Sequence, residues 1–196
     1  MIMAKNRTHI TQHRRRREGR TDYRQRLRLV KSGIPRLVVR RSSKGMVCQI
    51  IKHETKGDKT VVTVGLKELK KSGWKGYTGN VPASYLLGLI CAKEAKKHKV
   101  KQAILDVGLH GSTKGSRLYA ALKGAVDGGL EVAHSEEIFP DEKRITGEHI
   151  QNYAAALKKE NQEEYNKRFS AYIKNKVAPE TISKHFSEVK AKLLKS

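Results

Sequence analysis

Four arginines stand in a row at Arg14, Arg15, Arg16 and Arg17, and Arg20, Arg24, Arg26 and Arg28 follow within eleven residues. No core accepts four consecutive guanidinium groups, because a buried charge without a partner costs several kcal/mol. This segment therefore lies on the surface, facing solvent or an anion. The bias is regional: 12 of the 15 arginines fall in residues 1–41, which carry net +12. Residues 42–130 carry +10 and residues 131–196 only +1, within a total of +23. Such a charge repels itself unless a polyanion neutralises it, and nucleic acid and an anionic membrane surface are the two candidates. Guanidinium forks bind phosphate bidentately and stack on bases, so an arginine-rich arm suits close RNA contact. The alternatives are a solvated tail or a membrane-attracted segment. The arm lacks the Leu/Phe/Trp face that a membrane-lying helix needs. Alone it is expected to be disordered and to order on RNA.

Apolar residues make up 37% of the chain, which predicts one modest core with polar appendages. No apolar stretch approaches the ~20 residues of a membrane span. The opening MIMAKNRTHI has no apolar signal core and argues against secretion; Met1 and Met3 are both candidate starts. Cys48 and Cys91 belong to no CxxC pair and read as reduced, buried thiols of a cytoplasmic protein.

After Pro35, Arg36–Arg41 predicts a strand; Met46–Ile51 and Thr60–Val64 predict two more, joined by short turns into an antiparallel meander. Residues 65–81 read as a glycine-rich connection. Pro82 and the candidate cap Asn80 open a helix whose apolar stripe runs Ala83, Leu86, Leu87, Ile90, Cys91 and Ala95. Gln102–Val107 predicts a fourth strand, parallel to a neighbour through a right-handed crossover. A second helix carries Leu118, Leu122, Ala125 and Val126, and a short strand follows near Leu130–Ala133. Three amphipathic segments close the chain, the last opening at Pro179. Their aromatic residues read as packing.

This β-β-β-α-β-α order makes an α/β fold with a mixed sheet and resembles the ribonuclease-H-like fold, so nuclease chemistry must be tested. Such enzymes cluster carboxylates around two divalent ions. The resemblance implies an acid in the middle of the first strand, and RLVVRR has none. Asp106 is left without acidic partners, so catalysis is not expected. The loop Gly108–Ser116 fails the GxxxxGK[ST] pattern because Lys114 precedes its second glycine. With Lys114 and Arg117 it reads either as a phosphate contact at a helix start or as a plain capping turn. His9 and His13 share helical spacing but lie in a cationic arm, which disfavours a metal; no cofactor is implied. Lys71, Trp74, Lys75 and Tyr77 lie among glycines. Aromatic and basic residues together suit unpaired RNA, while the other reading makes Trp74 a lid on the core.

TDYRQRLRLVKSGIPRLVVRRS (Thr21–Ser42), GWKGYTGNVPASYLLG (Gly73–Gly88), LDVGLHGSTKGSRLYAALKGAVDGGL (Leu105–Leu130) and HSEEIFPDEKRITGEHI (His134–Ile150) resemble the archaeal and eukaryotic form of large-subunit ribosomal protein eighteen. The resemblance implies a ribonuclease-H-like core of the translational-machinery type. It also implies binding to 5S rRNA in the central protuberance, and contact with the main large-subunit rRNA and neighbouring ribosomal proteins. The expected organisation is an RNA-binding arm at 1–34, a core at 35–134 and a helical C-terminal extension at 135–196. Expected RNA contacts are Arg14, Arg15, Arg16, Arg17, Arg20, Arg24, Arg26, Arg28, Lys31, Arg40, Arg41, Lys71, Trp74, Lys75, Tyr77, Lys114 and Arg117. The rival readings are a degenerate nuclease and a free RNA chaperone or general nucleic-acid packer.

Overall fold

A computed structural model describes residues 10–175 and 177–195; Met1, Met3 and His9 lie outside the described residues. In chain order the arm holds α1 (Arg14–Arg17) and α2 (Tyr23–Lys31), followed by β1 (Arg36–Arg41), β2 (Met46–Glu54) and β3 (Gly57–Val64). Then come α3 (Leu66–Lys71), α4 (Val81–Lys97), β4 (Gln102–Asp106), α5 (Arg117–Asp127) and β5 (Glu131–Val132). A 3₁₀ turn at Glu136–Ile138 leads to α6 (Glu142–Thr146), α7 (Glu148–Glu160), α8 (Gln162–Arg168), α9 (Ser170–Lys174) and α10 (Ile182–Lys195).

The sheet order is β3-β2-β1-β4-β5. β1, β2 and β3 form the antiparallel meander, with a register irregularity between Ile50 and Ile51. β4 runs parallel to β1, pairing Arg36 with Ile104 and Val38 with Asp106, and β5 runs parallel to β4. Side chains alternate across a strand, so Leu37 and Val39 enter the apolar core while Arg36, Val38 and Arg40 point to the opposite face.

α4 packs on β2 and β3, and α5 packs on β1. α4 begins as expected: the Asn80 side chain accepts from the Ala83 N–H at 3.0 Å, and Pro82 sits in the first turn, where its missing N–H costs nothing. The helix is buried on nearly every side because α5, α6 and α10 cover what the sheet does not. α4 and α5 meet through Gly88 and Gly124, where a Cβ would drive into the backbone carbonyls of Ala121 and Tyr85. Cys48 and Cys91 are free and buried, and burial pushes the Cys91 thiol up to about 12, so both stay protonated.

The C-terminal helices share this core. Phe186 of α10 meets Tyr85 of α4 with ring centroids 5.6 Å apart, and Ile182 is fully buried. Phe169 sits between Tyr165 (5.3 Å) and Tyr172 (5.8 Å), so the aromatic stripe is packing, as its spacing predicts.

Two expectations are corrected. Residues 65–81 are not all loop: α3 occupies Leu66–Lys71, started by the Glu68 carboxylate accepting the Gly65 N–H at 2.9 Å. The arm is not structureless either: Asp22 accepts from the N–H groups of Arg24 and Gln25 and nucleates α2. No residue of α1 or α2 is buried.

Candidate nucleic-acid interface

Parallel strands β1 and β4 end side by side, and the loops that leave their C-terminal ends form a rim. The β1–β2 hairpin tip contributes Arg41 and Lys44. The loop after α3 docks on this tip: Tyr77 Oη donates to the Ser43 carbonyl at 2.9 Å, and Thr78 Oγ1 donates to the Lys44 carbonyl at 2.6 Å. Arg117, opening α5, donates to the Gly79 carbonyl and joins the loop Gly108–Ser116 to the same rim. In that loop Ser116 makes no side-chain cap bond, and Lys114 pairs with exposed Glu137 at 2.9 Å.

Below the rim lies an ionic network on the sheet face away from the helices. Arg36 is 5% exposed; its Nη1 donates to Asp106 at 2.8 Å and its Nη2 to Asp58 at 2.6 Å. Arg40 Nη2 donates to the other Asp106 oxygen at 2.8 Å, which also accepts the Gly108 N–H. Burial opposes ionisation of Asp58, but the His53 hydrogen bond and the charges of Arg36 and Arg26 outweigh it and hold its carboxyl below the usual range. Both Asp106 oxygens are thus occupied by guanidinium groups, and a metal ion would have to displace them.

The arm reaches this network. Arg26 donates to Asp58 at 2.9 Å, which brings α2 against the sheet. Arg15, Arg20, Arg26, Arg36 and Arg40 line a cleft of about 130 Å³ between arm and sheet, beside Gly108. The remaining arm cations among the described residues point outward. Arg14, Arg16, Arg17, Arg24, Arg28 and Lys31 are exposed; Arg14 and Arg20 share Glu18 at 3.6 and 3.3 Å.

The second cluster divides. Lys71 and Lys75 are exposed and Tyr77 is 41% exposed, but Trp74 is 2% exposed. Its indole lies over the His185 ring with centroids 5.1 Å apart, and Nε1 donates to the Tyr77 carbonyl at 3.2 Å. The expected contact of Trp74 with RNA is therefore corrected to the lid reading: a base cannot stack on a ring already covered. Arg36 and His185 were not expected to matter, since their partners lie 22, 70 and 110 residues away. Exposed Lys44 was missed too, although its place in a Gly-containing turn was a usable signal.

The arrangement presents cations at a strand-end rim and a cationic helix pair beside it, with no carboxylate cluster for catalysis among the described residues. The family model of ribosomal large subunit proteins 60S L5 and 50S L18 matches residues 7–102 and 93–135. The chain belongs to this family. It is a ribosomal protein of the large subunit, working in translation as a structural component and not as an enzyme. The match spans the arm from residue 7, the whole sheet and both rim loops and stops before α6, so every predicted cation of the interface falls inside it. No helix among the described residues is long and apolar enough to cross a membrane.

Proposed function

We propose that this ribosomal protein binds 5S rRNA and helps attach it at the central protuberance of the large subunit. The supporting observation is the segregation of charge. Net +22 sits in residues 1–130, which build the arm, four of the five strands and the rim, while residues 131–196, mostly helical, carry +1. In this reading Arg14–Arg17, Arg24, Arg28 and Lys31 meet phosphates. Arg15, Arg20, Arg26 and Arg40 frame the cleft that the backbone approaches, and Arg41, Lys71, Lys75, Tyr77, Lys114 and Arg117 set its register on the rim. The 35–134 core is read as ribonuclease-H-like, with no acid in the middle of its first strand and with Arg36 and Arg40 on either side of that position paired to Asp106. The 135–196 extension packs on α4 and offers its outer, charge-balanced face to neighbouring ribosomal proteins, while the arm also reaches the main large-subunit rRNA.

Filter binding of 5S rRNA against an unrelated RNA of equal length, at one salt concentration, tests this. A preference of at least about tenfold, the ~1.4 kcal/mol available to one or two register-specific contacts, is expected. Equal affinity for both RNAs, together with failure to cosediment with large subunits, would favour a free RNA chaperone.

A further inference from the structure

The rim loop Gly73–Asn80 is too glycine-rich to hold one shape by itself: it contains Gly73, Gly76 and Gly79. Three residues of the C-terminal helices grip it. The Lys75 N–H donates to His185 Nε2 at 3.1 Å. Asn175 Nδ2 donates to the Lys75 carbonyl at 2.9 Å, and Tyr172 Oη accepts from Asn80 Nδ2 at 3.1 Å. Both backbone polar groups of Lys75 are thus held from the extension. Between them the Trp74 ring is sealed against His185, with the planes tilted by only 22°. Gly76 is fitted to this seal, because a Cβ there would meet the Trp74 ring. A backbone N–H can only donate, so Nε2 of His185 must be the unprotonated nitrogen.

We infer that the C-terminal extension is a clamp on the RNA-facing loop: His185, by stacking on Trp74 and accepting from Lys75, is the positioning residue that presents Lys75 on the rim, beside Tyr77, which the hairpin tip holds through Ser43. This rests on the reading that the loop faces RNA. The extension then acts on RNA affinity without touching RNA, by raising the fraction of molecules whose loop is in its binding shape.

The test uses the full-length chain and its single tryptophan. Iodide quenching of Trp74 reports loop order without RNA, and 5S rRNA filter binding reports function. His185→Ala is expected to expose Trp74 to quencher and to weaken binding by about threefold to tenfold, the effect of losing one hydrogen bond and one ring contact. His185→Phe, which keeps the stack, and His185→Gln, which keeps the acceptor, should fall between. They also supply the test if the Ala variant fails to fold by circular dichroism. Quenching unchanged in a folded variant overturns the clamp, and so does exposed Trp74 with unchanged affinity while Lys71→Gln/Lys75→Gln weakens binding. If that lysine pair has no effect on affinity, the RNA-facing reading of the loop fails, and the quenching result alone decides whether the clamp exists.

Discussion

Replacing Asp106 with Ala should destabilise the protein by about 3–4 kcal/mol without affecting any catalytic function. Asp106 is 5% exposed and its carboxylate accepts from Arg36, Arg40 and the Gly108 N–H. Removing it strands the buried Arg36 guanidinium with half its partners, and breaking a buried pair costs about 3–5 kcal/mol. The lower part of that range applies because Asp58 still accepts from Arg36 and because Arg40, 40% exposed at its side chain, can turn to water. For a chain of this length each kcal/mol moves Tm by about 2–4 °C, so a fall of about 6–16 °C is expected. Asp106→Asn keeps an acceptor and the shape but loses the charge, and should cost about half as much. Urea unfolding followed by circular dichroism, with m unchanged, measures both. A loss below about 1 kcal/mol for Asp106→Ala would refute the reasoning that the network is a tightly buried one.

Gly88→Ala should cost at least about 1–3 kcal/mol by forcing α4 away from the Ala121 carbonyl of α5, whereas Gly111→Ala, with open space around it, should stay within about 0.5 kcal/mol. Acid should remove the contribution of Asp58: a carboxyl held below its usual 3.8 stabilises the fold above that pH and stops doing so as pH falls through the folded value, and Asp58→Asn should flatten that part of the acid limb in a stability-against-pH series. Burial, with Lys75 and Lys192 nearby, lowers the His185 titration below 6.5 against the opposing pull of Glu188. The clamp should therefore hold above about pH 6.5 and loosen as pH falls below it, seen as rising iodide quenching of Trp74 that is missing in His185→Phe.

Local rules made much of the fold legible. RLVVRR after Pro35 reads as a strand, and Asn80 with Pro82 announces α4, because strand propensity and capping act within a few residues. Short turns gave the β1–β2–β3 meander and a crossover gave a fourth strand parallel to a neighbour, but that this neighbour is β1, and that β5 lies outside β4, came only with the structure. What local rules could not supply are partners far along the chain. LKELKK looks like a charged connection until the Gly65–Glu68 contact is seen. Trp74 among lysines and glycines looks like an exposed stacking platform because the ring covering it, His185, arrives on α10. Arg36 and Arg40 were legible as an acid-free strand, and hence as evidence against catalysis. That they take both oxygens of Asp106 depends on the parallel β1–β4 register. For the arm, the arginine run predicts a surface segment, and α1 and α2 have no buried residue, while the Asp22 cap that turns part of it into α2 went unnoticed.

The central claim is that the arm is an electrostatic RNA contact, and its salt dependence tests that most directly. Each neutralised phosphate releases condensed counterions and adds roughly 0.7–0.9 to the magnitude of the log–log slope of affinity against salt. Arg14–Arg17 are exposed along α1 and none is buried, so their removal should leave the fold intact. If three or four of them meet phosphates, changing all four to Ala should shallow the slope for 5S rRNA by roughly 2–4 units. Changing all four to Lys should retain most of the slope but lose affinity, since forked geometry is gone while charge remains. Filter binding across a salt series, with circular dichroism as the folding control, gives the answer. An unchanged slope in the Ala variant would contradict the account, making the arm a solvated tail and leaving the rim as the RNA contact.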